Sequence, residues 1–314
     1  MRPFGRLIPP LTARRRLLRS ARPVGRVELC PIEEAFDRVA ARSVRAARPV
    51  PAFARATWDG YAVRSRDTTG SRPDRPKEFV VVGDLYAEST RAARLGPGEA
   101  MAIATGAPLP PGADGVVIFE EVERLGDRVR LTRPVAPGDR IARPGDDLRR
   151  GALLAAAGER LAPVALGAIA ATGLPSVAVF ARPIVEMLPN GNELVVPGRP
   201  LRPGAIYESN NAAIAAIVRA AGGEPRLSPP LPDDPDRIER ALRTAVRRSD
   251  LVLATGGSSV GERDHLPRIL PRIGTLLFHG VAVRPGKPTL AARTGGRLIV
   301  GLPGHPTSCL ANML

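Results

Sequence analysis

Apolar and polar positions change texture three times along the chain. In the last third, residues 184–188 and 251–254 form short unbroken apolar runs of the kind that predict buried strands. Between them, Ile214, Ile217, Val218 and Ala221 recur at helical spacing behind Asn210, a helix-capping residue type, and stop at Gly222. A second helical stripe, Ile238, Ala241, Leu242, Ala245 and Val246, predicts a helix over 236–248. Strands alternating with helices predict an α/β fold: a parallel, doubly wound sheet with helices on both faces and ligands at the carboxyl ends of its strands. From about 50 to 140 the chain reads differently. Short apolar runs at 79–82 and 115–119 alternate with turns such as Pro110-Pro111-Gly112, which predicts a small β-rich domain. Residues 31–46, with Ile32, Ala35, Phe36, Val39 and Ala40 on one face, predict a helix, and 161–172 a second. Residues 1–27 show no period and read as a loose arginine-rich arm.

The 314 residues are enough for about two domains, and 44% hydrophobic content suffices to bury a core. The formal charge of +15 points first to nucleic acid or a membrane surface. Two features argue against both. All but two of the 46 basic residues are arginine, spread along the chain, and aromatic residues are only 4%, too few for a base-stacking platform. Residues 161–181 carry no charge and reach bilayer length, yet Gly173 and Pro175 divide them, so a helix followed by a strand is expected and not a membrane span. Pro9 and Pro10 interrupt the only apolar start near the N-terminus, against a secretory signal. Cys30 and Cys309 have no metal or redox spacing, which fits a reducing cytoplasm.

Three glycine-rich turns follow predicted strands. The first runs from Leu251 through Thr255, Gly256, Gly257, Ser258 and Ser259 to Gly261, with Glu262 and Asp264 after it. Glycines let backbone N–H groups approach an anion, hydroxyls add donors, and nearby carboxylates hold a hard cation through water. The second, Arg284-Pro285-Gly286-Lys287-Pro288, sets two cations on a stiff turn suited to a tetrahedral oxyanion. The third, Gly301-Leu302-Pro303-Gly304-His305-Pro306-Thr307-Ser308, leads a buried strand into a helix start, which places Thr307 and Ser308 near its positive end. In the β-rich segment, Thr57-Trp58-Asp59-Gly60-Tyr61-Ala62 and Thr105-Gly106-Ala107-Pro108 add a carboxylate and a hydroxyl. Each of these, taken alone, is also an ordinary turn, and His305 an ordinary loop histidine.

Taken in order, these motifs resemble one family, the molybdopterin molybdenumtransferases (molybdate insertases, including the C-terminal region of gephyrin). The resemblance runs from about residue 31 to the end. It rests on Asp59-Gly60-Tyr61-Ala62, Thr105-Gly106-Ala107-Pro108, Arg143 with Gly145-Asp146-Asp147, Asn192-Glu193-Leu194, Ser209-Asn210, Gly256-Gly257-Ser258 through Gly261-Glu262, Pro285-Gly286-Lys287-Pro288 and Gly301-Leu302-Pro303-Gly304. It implies insertion of molybdate into adenylated molybdopterin with Mg²⁺, giving molybdenum cofactor and AMP. It implies that Gly256, Gly257 and Ser258 line the pterin-phosphate pocket and that Arg284, Lys287 and Ser308 surround molybdate. Asp264 and Glu193 would support Mg²⁺ or the nucleotide, with Asp264, Lys287 and Asp59 as the catalytic set. Asp59, Thr105 and Asp147 would complete a shared cleft in a homodimer. A molybdopterin adenylyltransferase or a molybdoenzyme acceptor is an implied partner.

The resemblance also implies four parts: an arm over 1–27, a helical linker over 28–54 and 139–181, a β-rich insertion over 55–138, and an α/β molybdopterin-binding domain over 182–314. It implies a further C-terminal β-barrel that these 314 residues lack, which would make the chain a truncated form. Trp58 stands where the family usually has methionine, His305 where it has asparagine, and Asn192 where it has aspartate, which weakens a metal role at that position. The alternatives are a non-catalytic molybdopterin-binding scaffold and, against residues 31–180, a molybdopterin adenylyltransferase.

Overall fold

The computed structural model describes residues 7–259 and 264–313. The chain forms two compact units, one of residues 1–28 with 180–314 and one of residues 29–179.

The first unit is α/β. Its helices are α1 (Pro10–Ser20), α2 (Asn210–Ala220), α3 (Pro235–Arg248), α4 (Leu266–Ile273) and α5 (Pro306–Ala311). Its six-stranded sheet holds β1 (Ile184–Pro189), β2 (Glu224–Leu227), β3 (Leu251–Thr255), β4 (Thr275–His279), β5 (Leu290–Thr294) and β6 (Arg297–Leu302), in the order β2-β1-β3-β6-β5-β4. The first four in that order run parallel. β5 and β4 are antiparallel, so the sheet is mixed where the pattern predicts an all-parallel one. The period-2 alternation of each strand sends side chains to both faces. Val185, Met187, Leu253 and Val300 pack with Ala13 of α1, Ile214 and Val218 of α2 and Cys309 of α5. Leu188, Val252, Ala254 and Ile299 pack on the opposite face with Ile238 and Leu242 of α3 and Ile269 and Leu270 of α4. Burial on both faces explains why these strands read as continuous apolar runs.

Local chemistry sets the helix ends. Asp234 caps α3 by accepting from the Asp236 and Arg237 N–H groups at 2.9 Å, with Pro235 in the first turn. Asn210 does not cap α2. Glu208 accepts from the Asn211 N–H at 2.9 Å, and Asn210 instead donates to the Gly304 carbonyl at 2.8 Å. The expected loose arm also carries an ordered element. α1 buries Ala13, and Arg16 donates to the Leu277 carbonyl at 2.7 Å.

The second unit holds a six-stranded sheet in the order Gly115–Ile118, Gly60–Val63, Glu99–Ile103, Lys77–Leu85, Arg128–Leu131, Val122–Leu125. Tyr61 and Val63 pack into one cluster with Phe79 and Val129, while Ala62 packs into another with Met101 and Ile103. A separate cluster joins Cys30, Ala35 and Ala40 to Leu161, Ile169, Val177 and Val179. The helix predicted over 31–46 does not form. A single 3₁₀ turn covers Ile32–Glu34, and Asp37 adopts φ 63°. Val39 and Ala40 bridge instead to Arg160 and Val179, so their burial comes from segments distant in sequence and not from a helix face. Within 29–54 and 139–179, the one α-helix among the described residues is Pro163–Ala171. The uncharged stretch 161–181 divides as expected into that helix and the strand Ser176–Phe180. No helix among the described residues is long and apolar enough to cross a membrane.

Candidate active site

Three neighbouring strands of the α/β unit, β1, β3 and β6, end on one side of the sheet, and the turn after each faces a common cavity of about 560 Å³. Asn190, Gly191 and Glu193 follow β1 into it. Thr255 through Ser259 contribute from the end of β3, with Asp264 beyond. Gly304, His305 and Ser308 contribute from the turn after β6 and from α5.

Gly256 is where the turns meet. Its φ of 84° lies in the left-handed region, and a Cβ there would sit 2.3 Å from the Asn190 carbonyl oxygen. Its N–H donates to the Leu302 carbonyl at 3.2 Å, and a Cβ on Gly304 would lie 3.4 Å from its Cα. Only glycine permits both the conformation and the approach. Gly257, at φ 59°, continues the turn, and its carbonyl accepts from the Leu266 N–H at 3.1 Å. Ser258 is buried, and its carbonyl meets His279 Nε2 at 3.1 Å. A carbonyl can only accept, so that ring nitrogen carries the hydrogen. Asp264 Oδ1 accepts from the Ser259 N–H at 3.0 Å, which closes the turn on itself.

Two buried asparagines complete the walls. Asn190 Nδ2 donates to the Leu188 and Thr255 carbonyls at 3.3 and 3.2 Å, and Asn210 Nδ2 to Gly304. These donations fix both amides, leaving Asn190 Oδ1 and Asn210 Oδ1 buried with no hydrogen-bond partner among the described residues. Asn192 stands just outside. Its N–H donates to Asp233 Oδ2 at 3.3 Å and its Oδ1 accepts from the Asp233 N–H at 3.2 Å. Asn192 therefore braces the loop that carries Asp233, itself a cavity residue.

Two regions of the chain match family models. Residues 8–173 match the MoeA N-terminal region (domain I and II), and residues 186–314 match a probable molybdopterin binding domain. The molybdopterin molybdenumtransferase of Bacillus subtilis is 35% identical over 290 residues, covering 91% of this chain and 67% of the relative. Molybdopterin molybdenumtransferase 2 of Mycobacterium tuberculosis is 34% identical over 305 residues, covering 94% and 74%. The crystal structure of a molybdopterin biosynthesis MoeA protein of Pyrococcus horikoshii superposes with a TM-score of 0.83 at 36% identity, covering 98% of this chain and 77% of that one. The chain belongs to the molybdopterin molybdenumtransferase family. Every cavity residue from Asn190 to Ser308 lies inside the second match.

Of the site residues that the family motifs nominate, Gly256, Gly257, Ser258, Glu193, Asp264 and Ser308 are brought together. Arg284 and Lys287 are exposed and do not line the cavity; they stand on the turn whose Pro288 does. α5 has only six residues, so Ser308 owes its place to the cavity wall more than to a helix dipole. Glu262 and Gly261 lie outside the described residues. Asp59, Thr105 and Asp147 belong to the other unit. Asp59 Oδ1 accepts from the Thr105 N–H at 2.7 Å and from its hydroxyl at 3.0 Å, and these bonds hold the carboxyl below its usual range. Asp147 forms an exposed ion pair with Arg55 at 3.5 Å.

Motif reading misses Asn190, Asn210 and Asp233 as cavity residues. The polar Asn190 at the end of a buried apolar strand is the signal that marks the first of them. Cys309 is excluded as a nucleophile: burial, with Glu208 nearby, pushes its thiol up to about 11.

A hard cation is the metal that suits the cavity. Its oxygen donors are the carboxylates of Glu193, Asp233 and Asp264 and the amide oxygens of Asn190 and Asn210, beside the imidazole of His305. Among the described residues no three His, Cys, Asp or Glu side chains form a metal cage. The carboxylates fit Mg²⁺, which keeps its waters and takes one or two carboxylates beside substrate phosphates.

Proposed function

We propose that this cavity binds adenylated molybdopterin and inserts molybdate into its dithiolene: molybdate oxygens leave as water while the Mo–S bonds form, and water attacks the pterin–AMP phosphoanhydride, giving molybdenum cofactor and AMP. The observation that carries the reading is the meeting of three strand-end turns at Gly256, which places glycine N–H groups, hydroxyls and carboxylates around one space. The names of the relatives, transferases of molybdenum to molybdopterin, support the same chemistry.

The chain's own groups divide the work. Gly256, Gly257 and Ser258 line the phosphate; the Leu302 carbonyl takes the Gly256 N–H, so the Gly257 and Ser258 N–H groups are the donors, with no charged side chain to desolvate. Arg284 and Lys287, on a proline-stiffened turn, and the Ser308 hydroxyl receive the oxyanion. Glu193 and Asp264 would hold Mg²⁺, which when bound would neutralise phosphate charge. Asn190 and Asn210 present fixed acceptor oxygens toward the same space. The roles implied for Asp59, Thr105 and Asp147, the homodimer and the four-part division of the chain belong to this proposal. So does a cytoplasmic location, which the scarcity and wide spacing of the two cysteines support.

The test is release of AMP by the purified chain supplied with adenylated molybdopterin, Mg²⁺ and molybdate. Lys287→Ala and Asp264→Asn should each slow release by about 100-fold or more, the scale of losing a group that acts in the transition state. Pterin binding without AMP release would support a binding scaffold and sink the transferase reading. ATP-dependent adenylation of free molybdopterin would move the chain to the adenylyltransferase reaction.

A further inference from the structure

Arg284 and Lys287 on one segment and Ser308 on another have to be held at a fixed spacing if all three meet one oxyanion. One side chain links the two segments. Asn312, just past the end of α5, donates from Nδ2 to the Ser308 carbonyl at 2.8 Å and to the Gly286 carbonyl at 3.2 Å. A primary amide has two N–H hydrogens, and here both are used, one on each segment. The Gly286 carbonyl also accepts from the buried Thr289 hydroxyl at 2.8 Å. Gly286 itself leaves room for the contact: a Cβ there would lie 1.7 Å from Asn312 Nδ2. The front of α5 is anchored separately, through the bond from Asn210 to Gly304.

We propose that Asn312 is a positioning residue for the oxyanion subsite, fixing the Arg284–Lys287 turn against the helix that carries Ser308. The inference rests on the proposed function, since that reading assigns Arg284, Lys287 and Ser308 to molybdate. Asn312 does not touch the anion. It acts by removing the freedom of two segments to drift apart, so a weakened link costs oxyanion affinity while the pterin-phosphate turn at Gly256–Ser258 stays as it is.

The experiment compares the parent chain with Asn312→Ala, which removes both donors, and Asn312→Asp, which keeps the shape but sets a carboxylate against two carbonyl oxygens. Gly286→Ala breaks the same link from the other side. Sodium molybdate binding is measured by calorimetry, and AMP release is followed with each substrate varied in turn. Each variant should bind molybdate about tenfold more weakly, the worth of one lost hydrogen bond, with a matching rise in KM for molybdate. KM for adenylated molybdopterin should stay within about twofold, the scatter allowed to a distant site. Unchanged molybdate binding in all three variants, or a parallel rise in both KM values, overturns the positioning role. A parent chain that neither binds molybdate nor releases AMP overturns the proposed function itself, a result distinct from variants that behave like an active parent.

Discussion

Gly256 concentrates the constraints of the cavity in one residue. Alanine there would need a left-handed backbone and would press on the Asn190 carbonyl, 2.3 Å from its Cβ. Strain of that kind costs about 1–3 kcal/mol, so Gly256→Ala should lower the free energy of urea unfolding by about 2 kcal/mol and abolish pterin binding. A variant of parental stability that still binds pterin would show that the turn has slack. The glycine was legible in the sequence because an apolar strand running into Thr-Gly-Gly-Ser-Ser has to turn sharply there. Asp264 and Ser308 were legible in a similar way, as polar residues just past glycine-rich turns, and Glu193 only through the family motif Asn192-Glu193-Leu194. Asn190, Asn210 and Asp233 were not. Their roles come from partners 65, 94 and 41 positions away, Thr255, Gly304 and Asn192, and no local pattern records such pairings.

Elements are held at the opposite end of the sheet by Asp250. Its buried carboxylate accepts from Arg26 at 2.7 and 3.0 Å, from Arg297 at 2.7 Å and from the Ile184 N–H at 2.9 Å, so one side chain joins the beginnings of β1, β3 and β6 to the segment after α1. Burial pushes its pKa up, but the bonds from Arg26 and Ile184 and the charges of Arg26 and Arg297 outweigh it and hold the group below its usual range. A carboxyl depressed in the fold stabilises above its unfolded pKa, and that stability is lost as pH falls through the lower folded value. Asp250→Asn should therefore cost about 3 kcal/mol at neutral pH, as when a buried pair loses one partner. The deficit should shrink as pH drops below about 4, where the carboxylate of the unfolded chain takes up a proton while the folded one still resists it. Urea unfolding at both pH values checks this, and a deficit constant with pH would refute the ionic account. Of the arginines that meet Asp250, Arg26 lies in the stretch that reads as a loose arginine-rich arm. For the same reason α1 went unread: its sequence is rich in arginine, and its docking depends on Ala13 and Leu17 meeting a face built from residues beyond 180. The α2 and α3 stripes, by contrast, were plain because each helix presents a single apolar face to one layer of the sheet.

Charge is a property of the whole molecule. A net +15 spread over the surface attracts a dianion at long range, and salt screens that attraction, the Debye length falling from about 10 Å at 0.1 M to about 3 Å at 1 M. Raising KCl across that range should lower kcat/KM for molybdate by about tenfold while leaving kcat nearly unchanged, since steering acts on encounter and not on the bound state. A flat salt profile would confine the electrostatics to Arg284 and Lys287. Composition gave this total charge at once, yet could not distinguish a basic stripe from dispersed arginines; that distinction rested on where each arginine falls in the chain.

The strand order carries one more consequence. β6 is the last strand of the sheet to leave the ribosome, and it belongs between β3 and β5. Until residues 297–302 emerge, the nascent chain exposes two unpaired strand edges where its middle should be, the condition under which partly made proteins stick to one another or recruit chaperones. The turn that brings Gly304 against Gly256 comes with that same strand, so the pairing of β6 closes the riskiest gap of the unit and completes its cavity in one step.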